Sequence, residues 1–453
     1  MPSATAARLP LALACGASFV ALLDVTLANL AIPDLAREFE GQGVAGLSWV
    51  VTAYTVPFAA LLAPAGRLAD VVGRRRLFLA GALAFTAGSA VAAAAPSFGV
   101  LVAARAVQGA GAALLLPASL AFVLADTPPA RRAAAIGLWS AAASLAAATG
   151  PAIGGVLVGA AGWRSLFLVT VPIGAALAAG AARATGGAGA GARVPDVAGT
   201  VLLAGGIGLA VLALTEGAEW GWASAATLAA FAIAAAALAA ALARSRRHEA
   251  PAVEVALWRS RTYAAANVVS LLFGAGLLGS MFAAVLFLTA LWGYTPLEAG
   301  LAMTPGALAS ATVGIAVGRS ARRPSARALV VGGTLLMAAS AALMAAEVSS
   351  HPRFVTVWLP AALLLGVGVG AVSVGVSTAA ALSVGPQRFA TATGLNVAAR
   401  QVGGAVGVAG IAVLLHDQAG VEEFRSVYLA CALAGLAVAV PASRLVLAPA
   451  QAR

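Results

Sequence analysis

The sequence predicts an all-α, polytopic membrane protein of fourteen transmembrane helices, built as two six-helix halves with two further helices inserted between them and both termini cytoplasmic. Three observations carry that expectation. The 453 residues are 62% hydrophobic and 9% charged, far from the roughly 25% charged usage of soluble domains, and this apolar content suffices for about fourteen spans at ~20 residues each. The basic residues alternate loop by loop along the chain. The first and last thirds of the sequence also repeat one another weakly.

Runs without charge, bounded by arginines, prolines and glycine clusters, place helices at about 10–32, 45–65, 77–95, 98–125, 133–160, 165–183, 197–215, 224–243, 262–290, 298–318, 328–347, 355–382, 391–416 and 426–447. Backbone groups in lipid must be bonded within their own segment, so apolar runs of this length form helices. The first run carries Asp24 near its middle and lacks a small-residue cleavage site; it is read as a retained span and not a signal peptide. The uncharged stretches between Arg261 and Glu298 and between Arg353 and Arg388 are each longer than one span but too short for two with a loop.

An even number of spans puts both termini on one side, and the arginines say which. All 27 basic residues are Arg, and 21 of them fall in loops on the side of the N-terminus. Opposite loops hold only Arg37, Arg164, Arg353 and Arg425, while Arg105 and Arg400 lie inside helices. Positive residues accumulate on the cytoplasmic side, which also accounts for the net charge of +11 without a nucleic-acid partner.

The repeat aligns Arg131 with Arg388, Gly137 with Gly394 and Gly150 with Gly407. The same offset sets Gly109 and Gly111 on Gly366 and Gly368, and Gly66-Arg67 is echoed by Gly318-Arg319. The expected organisation is therefore an N-terminal half at 1–183, a cytoplasmic linker at 184–196, the inserted pair at 197–243, a second linker at 244–261 and a C-terminal half at 262–453. Such internal repeats are common in transporters.

Ionisable side chains at mid-bilayer are expensive on insertion scales, so they are functional candidates by default. Asp24 shares a helical face with Ala17, Ala21, Ala28 and Ala31, a small-residue face that points into a bundle. Low dielectric penalises a carboxylate and a nearby guanidinium rewards it, so an acid there can exchange protons. A structural acid permanently paired with an Arg is the alternative. Arg105 lies with Gln108, Gly109 and Ala112; it cannot lose its proton, so it would set the field around an acid or hold an anionic group. Arg400 lies with Asn396, Gly403, Gly404 and Gly407, where helix-packing glue is an equal contender. Gly150-Pro151 with Gly154 and Gly155 reads as a hinge or as close packing. In GRLADVVGRRR, Gly66 and Gly73 suit a tight loop, Asp70 pairs with Arg74 four residues on, and the arginines reach helix-end carbonyls and anionic lipid. Cys15 and Cys431 sit in apolar runs, His248, His351 and His416 are scattered, and no nucleotide-binding motif or metal-ligand cluster is present. Neither cofactor nor metal is expected.

In combination these segments resemble the major facilitator superfamily, specifically its fourteen-span drug:proton antiporter branch, along nearly the whole chain. LLDVTLANLAIP is similar to that branch's first-helix signature, GRLADVVGRRR to the superfamily's cytoplasmic loop motif, RAVQGAG to its helix-four motif and ATGPAIGG to the antiporter motif, with Ala146 in place of its usual first glycine. The resemblance implies the major facilitator fold, with proton coupling through Asp24 and Arg105, a bend at Gly150, Pro151, Gly154 and Gly155, and a gate of Gly66, Asp70, Gly73 and Arg74 closing on the cytoplasmic end of helix thirteen. In the degraded second copy of the loop, Arg322 stands where Asp70 has its match. The function implied is that of a multi-pass inner-membrane efflux protein, a monomer among membrane lipids that exchanges protons for hydrophobic or amphipathic small molecules. Its cavity would be lined by Asn29, Tyr54, Gln108, Trp139, Asn267, Met281, Phe282, Asn396 and Arg400. A mostly apolar cavity with one acid suits lipophilic cations or neutral compounds. The rivals are a proton symporter for a small organic solute and a membrane receptor or scaffold; nothing in the spans suggests an enzyme.

Overall fold

Helices form wherever the chain runs apolar, and they stop at arginine-bearing turns, prolines and left-handed glycines. The computed structural model describes residues 8–39, 44–184, 195–320, 324–415 and 420–445, apart from the side chains of Arg8, Asn29, Pro33, Val44, Ala45, Asp126, Pro151, Ala152 and Pro296. Arg193, Arg322, His416 and most of the 184–196 linker lie outside the described residues. In chain order the helices are α1 (Arg8–Leu30), α2 (Ile32–Glu38), α3 (Val44–Val72), α4 (Arg74–Ala93), α5 (Phe98–Asp126), α6 (Pro129–Ala161), α7 (Arg164–Leu168) and α8 (Thr170–Arg183). They continue as α9 (Val197–Trp220), α10 (Ala225–Ser245), α11 (Arg261–Leu286), α12 (Pro296–Arg319), α13 (Ala326–Glu347), α14 (Leu359–Leu382), α15 (Phe389–Leu414) and α16 (Val421–Ala442). Among the described residues fourteen segments are long and apolar enough to cross a membrane, with α7 and α8 forming one of them. No strand occurs among the described residues.

Side chains cap several starts: Ser224, Ser260, Thr295 and Ser325 each accept the backbone N–H three residues on, satisfying donors that a helix leaves orphaned. The two overlong uncharged stretches are each one span lengthened by a five-residue π-helical turn, Phe287–Leu291 after α11 and Phe354–Trp358 before α14.

Three local expectations are corrected. α3 does not end near residue 65 but runs through Gly66 and Asp70 to Val72, and Gly73 alone breaks the chain, at φ 120°. Gly66 therefore serves close packing and not a turn: a Cβ there would overlap the Ala390 carbonyl. α9 continues past residue 215 to Trp220 and so encloses Glu216. The short α2 lies where only a loop was expected, with Glu38 at its end accepting from Trp163 Nε1 at 2.7 Å and from both terminal nitrogens of Arg164.

The chain forms two compact units. The first comprises residues 1–128, 149–256 and 384–398, and the second residues 129–148, 257–383 and 399–453. Within the first, α5 is the most deeply enclosed span, and α1, α3 and α4 pack on it while α8 packs on α1 and α4. Within the second, α14 takes the place of α5: α11, α12 and α13 pack on it while α16 packs on α11 and α13. The sequence repeat is thus also a repeat of helix pairings. Its matched glycines do matched work. A Cβ on Gly109 would overlap the Tyr54 carbonyl of α3, and one on Gly366 would overlap the Gly306 carbonyl of α12. Likewise Gly111 meets the backbone of Phe85 and Gly368 that of Gly333. Lipid tails provide no hydrophobic drive for helix association, so backbone-to-backbone approach at small residues supplies it. The inserted pair joins the first unit through α9 on α3, with α10 packed on α9.

Two predictions follow from this packing. Gly109→Val should destabilise the protein by about 1–3 kcal/mol through overpacking, read as a lower melting temperature in detergent, whereas Gly332→Ala, where a Cβ meets nothing within 4 Å, should leave it unchanged or raise it. The second concerns Glu38, whose carboxyl is held below the usual glutamate range first by the Arg164 hydrogen bonds and then by Trp163, against opposition from burial. Its contribution is complete above the ordinary value of ~4.3 and fades as pH falls through the lowered one. The difference in melting temperature between wild type and E38Q should be constant above about pH 5 and shrink below about pH 4.

Candidate functional site

Two polar constellations stand out in the first unit, and α3 takes part in both. The first is sealed within the spans. Arg105 on α5 donates from Nη1 to Asp24 Oδ2 at 2.5 Å and to Gln108 Oε1 at 3.0 Å, and from Nε to the Val50 carbonyl at 2.9 Å. Gln108 donates from Nε2 to Asp24 Oδ1 at 3.1 Å and to Ser89 Oγ at 2.8 Å. Thr170 Oγ1 lies 2.9 Å from Ser89 Oγ, extending the network from α4 to α8. The guanidinium carbon sits 4.5 Å from the Tyr54 ring centroid and 5.5 Å from that of Phe167, and the Tyr54 hydroxyl donates to the Ala21 carbonyl. Asp24, Arg105, Gln108, Ser89 and Thr170 are all at most 1% exposed.

This layer draws α1, α3, α4, α5 and α8 to one point, and local sequence explains how. Ala17, Ala21, Ala28 and Ala31 put no side-chain bulk on the Asp24 face of α1, and all are fully buried. Gly109 lets α5 touch the backbone of α3 one turn from Arg105. A Cβ on Gly150 of α6 would overlap Thr26, and one on Gly154 would overlap Leu30 and Leu27, so α6 reaches α1 beside Asp24 because both positions lack side chains. Gly155 is partly buried on the same helix, and the side chain of Pro151 lies outside the described residues.

The second constellation lies at the arginine-rich end of α3. Asp70 Oδ1 accepts from Arg74 Nη2 at 3.0 Å and from the Ala390 N–H at 3.3 Å, while Oδ2 accepts from Thr391 N at 2.7 Å and Thr391 Oγ1 at 2.8 Å. A carboxylate here meets the positive end of α15 and satisfies two of its orphan donors. Arg74 also donates to the Pro386 carbonyl, and Arg75 donates to the Ala181 and Ala182 carbonyls at the end of α8. Gly66 and Gly394 allow α3 and α15 to touch here. Glu254, from the segment after the inserted pair, forms ion pairs with Arg67 at 2.5 Å and Arg388 at 2.7 Å.

The remaining expected lining residues are placed as follows. Tyr54 and Gln108 belong to the Asp24 layer, and Asn396 is buried on α15 in the first unit. In the second unit, Trp139 is buried on α6, Met281 and Phe282 are partly buried on α11, and Asn267 donates to the Tyr263 carbonyl at 2.9 Å while its Oδ1 has no partner among the described residues. Arg400 on α15 is partly exposed. The side chain of Asn29 lies outside the described residues. Among the described residues no group of acids, histidines and cysteines could hold a metal ion.

Sequence reasoning missed Ser89, Thr170, Glu216 and Glu254. Single hydroxyls in apolar helices carry no pattern. Glu216 was hidden by ending its helix too soon; it is 2% exposed and accepts from Thr52 Oγ1 at 3.0 Å. Glu254 gave a usable signal, as the one acid between Glu249 and Glu298 in an arginine-rich stretch.

Comparison with known proteins shows what the chain as a whole is similar to. The family model described as Major Facilitator Superfamily matches residues 14–184, 175–408 and 267–453. The methylenomycin A resistance protein of Streptomyces coelicolor is 34% identical over 432 residues, covering 95% of this chain and 90% of that protein. The multidrug resistance protein Stp of Mycobacterium tuberculosis is 35% identical, over 86% of this chain and 72% of its own. The tetracenomycin C resistance and export protein of Streptomyces glaucescens is 32% identical, over 90% and 76%. Among solved structures, the human organic anion transporter MFSD10 (TETRAN) superposes with a TM-score of 0.71 at 16% identity, covering 98% of this chain and all of that one, which is a likeness of fold.

The Glu254 bridge is testable by itself. E254Q should destabilise the protein by about 1–3 kcal/mol, because the largely buried Arg67 then loses its carboxylate partner, with Arg388, half exposed, losing less. Removing Arg67 as well, in R67Q/E254Q, should cost less than the sum of the two single changes, as thermal unfolding of the four proteins would show.

Proposed function

The chain belongs to the Major Facilitator Superfamily, a multi-pass membrane transporter and not an enzyme, and from that premise we propose that it exports hydrophobic or amphipathic small molecules across the plasma membrane in exchange for protons. Relatives that match most of its length are named for resistance to, or export of, antibiotics. The observation that carries the proposal is the sealed Asp24–Arg105–Gln108 layer.

The chemistry of that layer suits proton exchange. Asp24 is bonded at both oxygens, by Arg105 and by Gln108. A proton added at Oδ2 removes the acceptor that Arg105 Nη1 now uses. The freed cation keeps the Val50 carbonyl and Gln108 Oε1 as acceptors, and the Tyr54 and Phe167 faces add cation–π attraction of about 2 kcal/mol in such desolvated surroundings. Arg105 thus keeps partners other than Asp24, which lowers the cost of leaving it without its carboxylate. Each elementary charge crossing ~100 mV yields ~2.3 kcal/mol, so one inward proton can drive export of a modestly concentrated cargo.

Transport proceeds by alternating access between the halves at 1–183 and 262–453, with the arginine-rich ends cytoplasmic. The Asp70 contacts with α15 close the cytoplasmic side, and opening there requires Asp70 to give up Thr391 and Ala390. Gly150 and Gly154 supply the bend in α6 that follows. The protein works as a monomer, with loop arginines against anionic lipid.

Sealed inverted vesicles with an acid interior test the proposal. Added substrate, found by screening growth of a susceptible host, should alkalinise the lumen, and Asp24→Asn should abolish the response while leaving the protein inserted. An undiminished response in Asp24→Asn removes the acid from the mechanism, and acidification would instead indicate symport.

A further inference from the structure

Arg105 and Arg400 are the two arginines placed well inside spans, and the structure treats them in opposite ways. Arg105 is bonded through Nε and Nη1, packed against two aromatic faces, and its charge is cancelled by Asp24. Arg400, on α15 about three turns from the nearer end of that helix, has no hydrogen bond or ion pair among the described residues. It is also not sealed, being partly exposed.

The sequence left open that Arg400 glues helices together. The contact between α15 and α11 is instead made by backbone. Cβ atoms on Gly403 and Gly407 would overlap the Leu271 and Ala275 carbonyls, and one on Gly274 would overlap the carbonyl of Arg400 itself. The guanidinium bonds nothing across that seam. What the seam does is fix the α15 backbone at residue 400 against a neighbour, so a long side chain projects from a rigid base.

An ionised guanidinium halfway through a bilayer cannot face hydrocarbon cheaply; such groups face protein or a watery path, and they mark substrate routes. Its planar fork matches a carboxylate in two-point fashion. We propose that Arg400 is the anion-recognition point of the transport path, and that the cargo includes amphipathic molecules bearing a carboxylate. This rests on the exporter reading for its place in transport, and it reverses the charge preference expected of a cavity with a lone acid. Asp24 attracts no cation while Arg105 holds it, and protonating Asp24 makes the interior more positive still.

The test uses the full-length protein in zwitterionic nanodiscs, with empty nanodiscs as blank and three matched probes: 4-(1-pyrenyl)butyrate, its methyl ester, and the corresponding pyrenylbutyl trimethylammonium. Binding is read by energy transfer from tryptophan to pyrene. Wild type should hold the butyrate at least about tenfold more tightly than either other probe, R400Q should abolish that preference, and R400K, which keeps the charge but not the fork, should retain part of it. Melting temperatures without probe show that each variant is folded; should R400Q fail to fold, R400K must still lose at least about threefold of the preference. Equal binding of the three probes, no binding by wild type, or a preference that survives the substitution overturns the proposal. Proton flux in liposomes separates it from the exporter reading. Flux driven by the trimethylammonium probe and not by the butyrate leaves the exporter and removes the anion site, whereas an Arg400-dependent preference without flux from any probe does the reverse.

Discussion

A carboxylate and a guanidinium meeting at 2.5 Å where neither water nor lipid can solvate them impose conditions on everything around them. Withdrawing one partner from such a buried pair costs about 3–5 kcal/mol, because the other is left uncompensated. The remaining donors of Arg105 also need acceptors, and these come from Val50 on α3 and Gln108 on α5 itself. Gln108 in turn needs Ser89 on α4, whose hydroxyl is met by Thr170 on α8. Five helices are placed by one chain of satisfied polar groups. Partly satisfied networks of this kind are worse than an apolar core, which explains why the layer is complete and fully buried.

What lets those helices come near enough is the absence of side chains. Small residues bring the backbones of neighbouring helices into direct contact around the polar layer. Gly109 against Tyr54, Gly111 against Phe85 and Gly150 against Thr26 provide that approach around the Asp24 layer. The second unit repeats it at Gly366 and Gly368, yet no buried acid pairs with an arginine there among the described residues, and Ala362 occupies the position matched to Arg105. The scaffold is duplicated while the ion pair is not, so the packing glycines belong to the fold and Asp24 with Arg105 belongs to the first unit's own chemistry.

Much of the fold was legible because lipid simplifies the code: only helices can span, so counting uncharged runs and arginines yields their number. Lengths were less legible at the ends. α3 continues past residue 65 since Arg67 and Asp70, which look like loop residues by charge, are held by Glu254 and by the N-terminus of α15. Those partners are roughly 190 and 320 residues away and invisible to any local window. α9 was cut short for the same reason, with Glu216 sheltered by Thr52. At the site, Asp24 and Arg105 were conspicuous as charges in apolar runs. Ser89 and Thr170 were not, because a hydroxyl in a helix can bond its own backbone and needs no partner elsewhere. The difference between Arg105, paired with Asp24, and Arg400, without an ion pair among the described residues, was beyond the sequence altogether, since both sit in similar stretches of small and polar residues.

One helix joins the two constellations of the first unit. α3 offers Val50 and Tyr54 to Arg105 near one end, and Gly66, Arg67 and Asp70 to α15 and Glu254 near the other. Coupling needs an element with two arrangements that both sites bias, and α3 has the means to be one. Pro57 and Pro64 lie between its two ends, each removing a helical hydrogen bond where a bend is cheapest. Neutralising Asp24 frees Arg105 to lean harder on the Val50 carbonyl and the Tyr54 ring, which loads α3 at one end. The other end is fastened by neutral-to-charged hydrogen bonds from Thr391 and Ala390 to Asp70, individually modest and jointly dependent on register. A shift of α3 by a fraction of a turn therefore strains the Asp70 contacts before it strains the glycine seams, since carboxylate bonds are directional and backbone contacts at Gly109 tolerate sliding along a groove. The Asp24 layer and the Asp70 contacts at the arginine-rich end thus share a single helix within one unit.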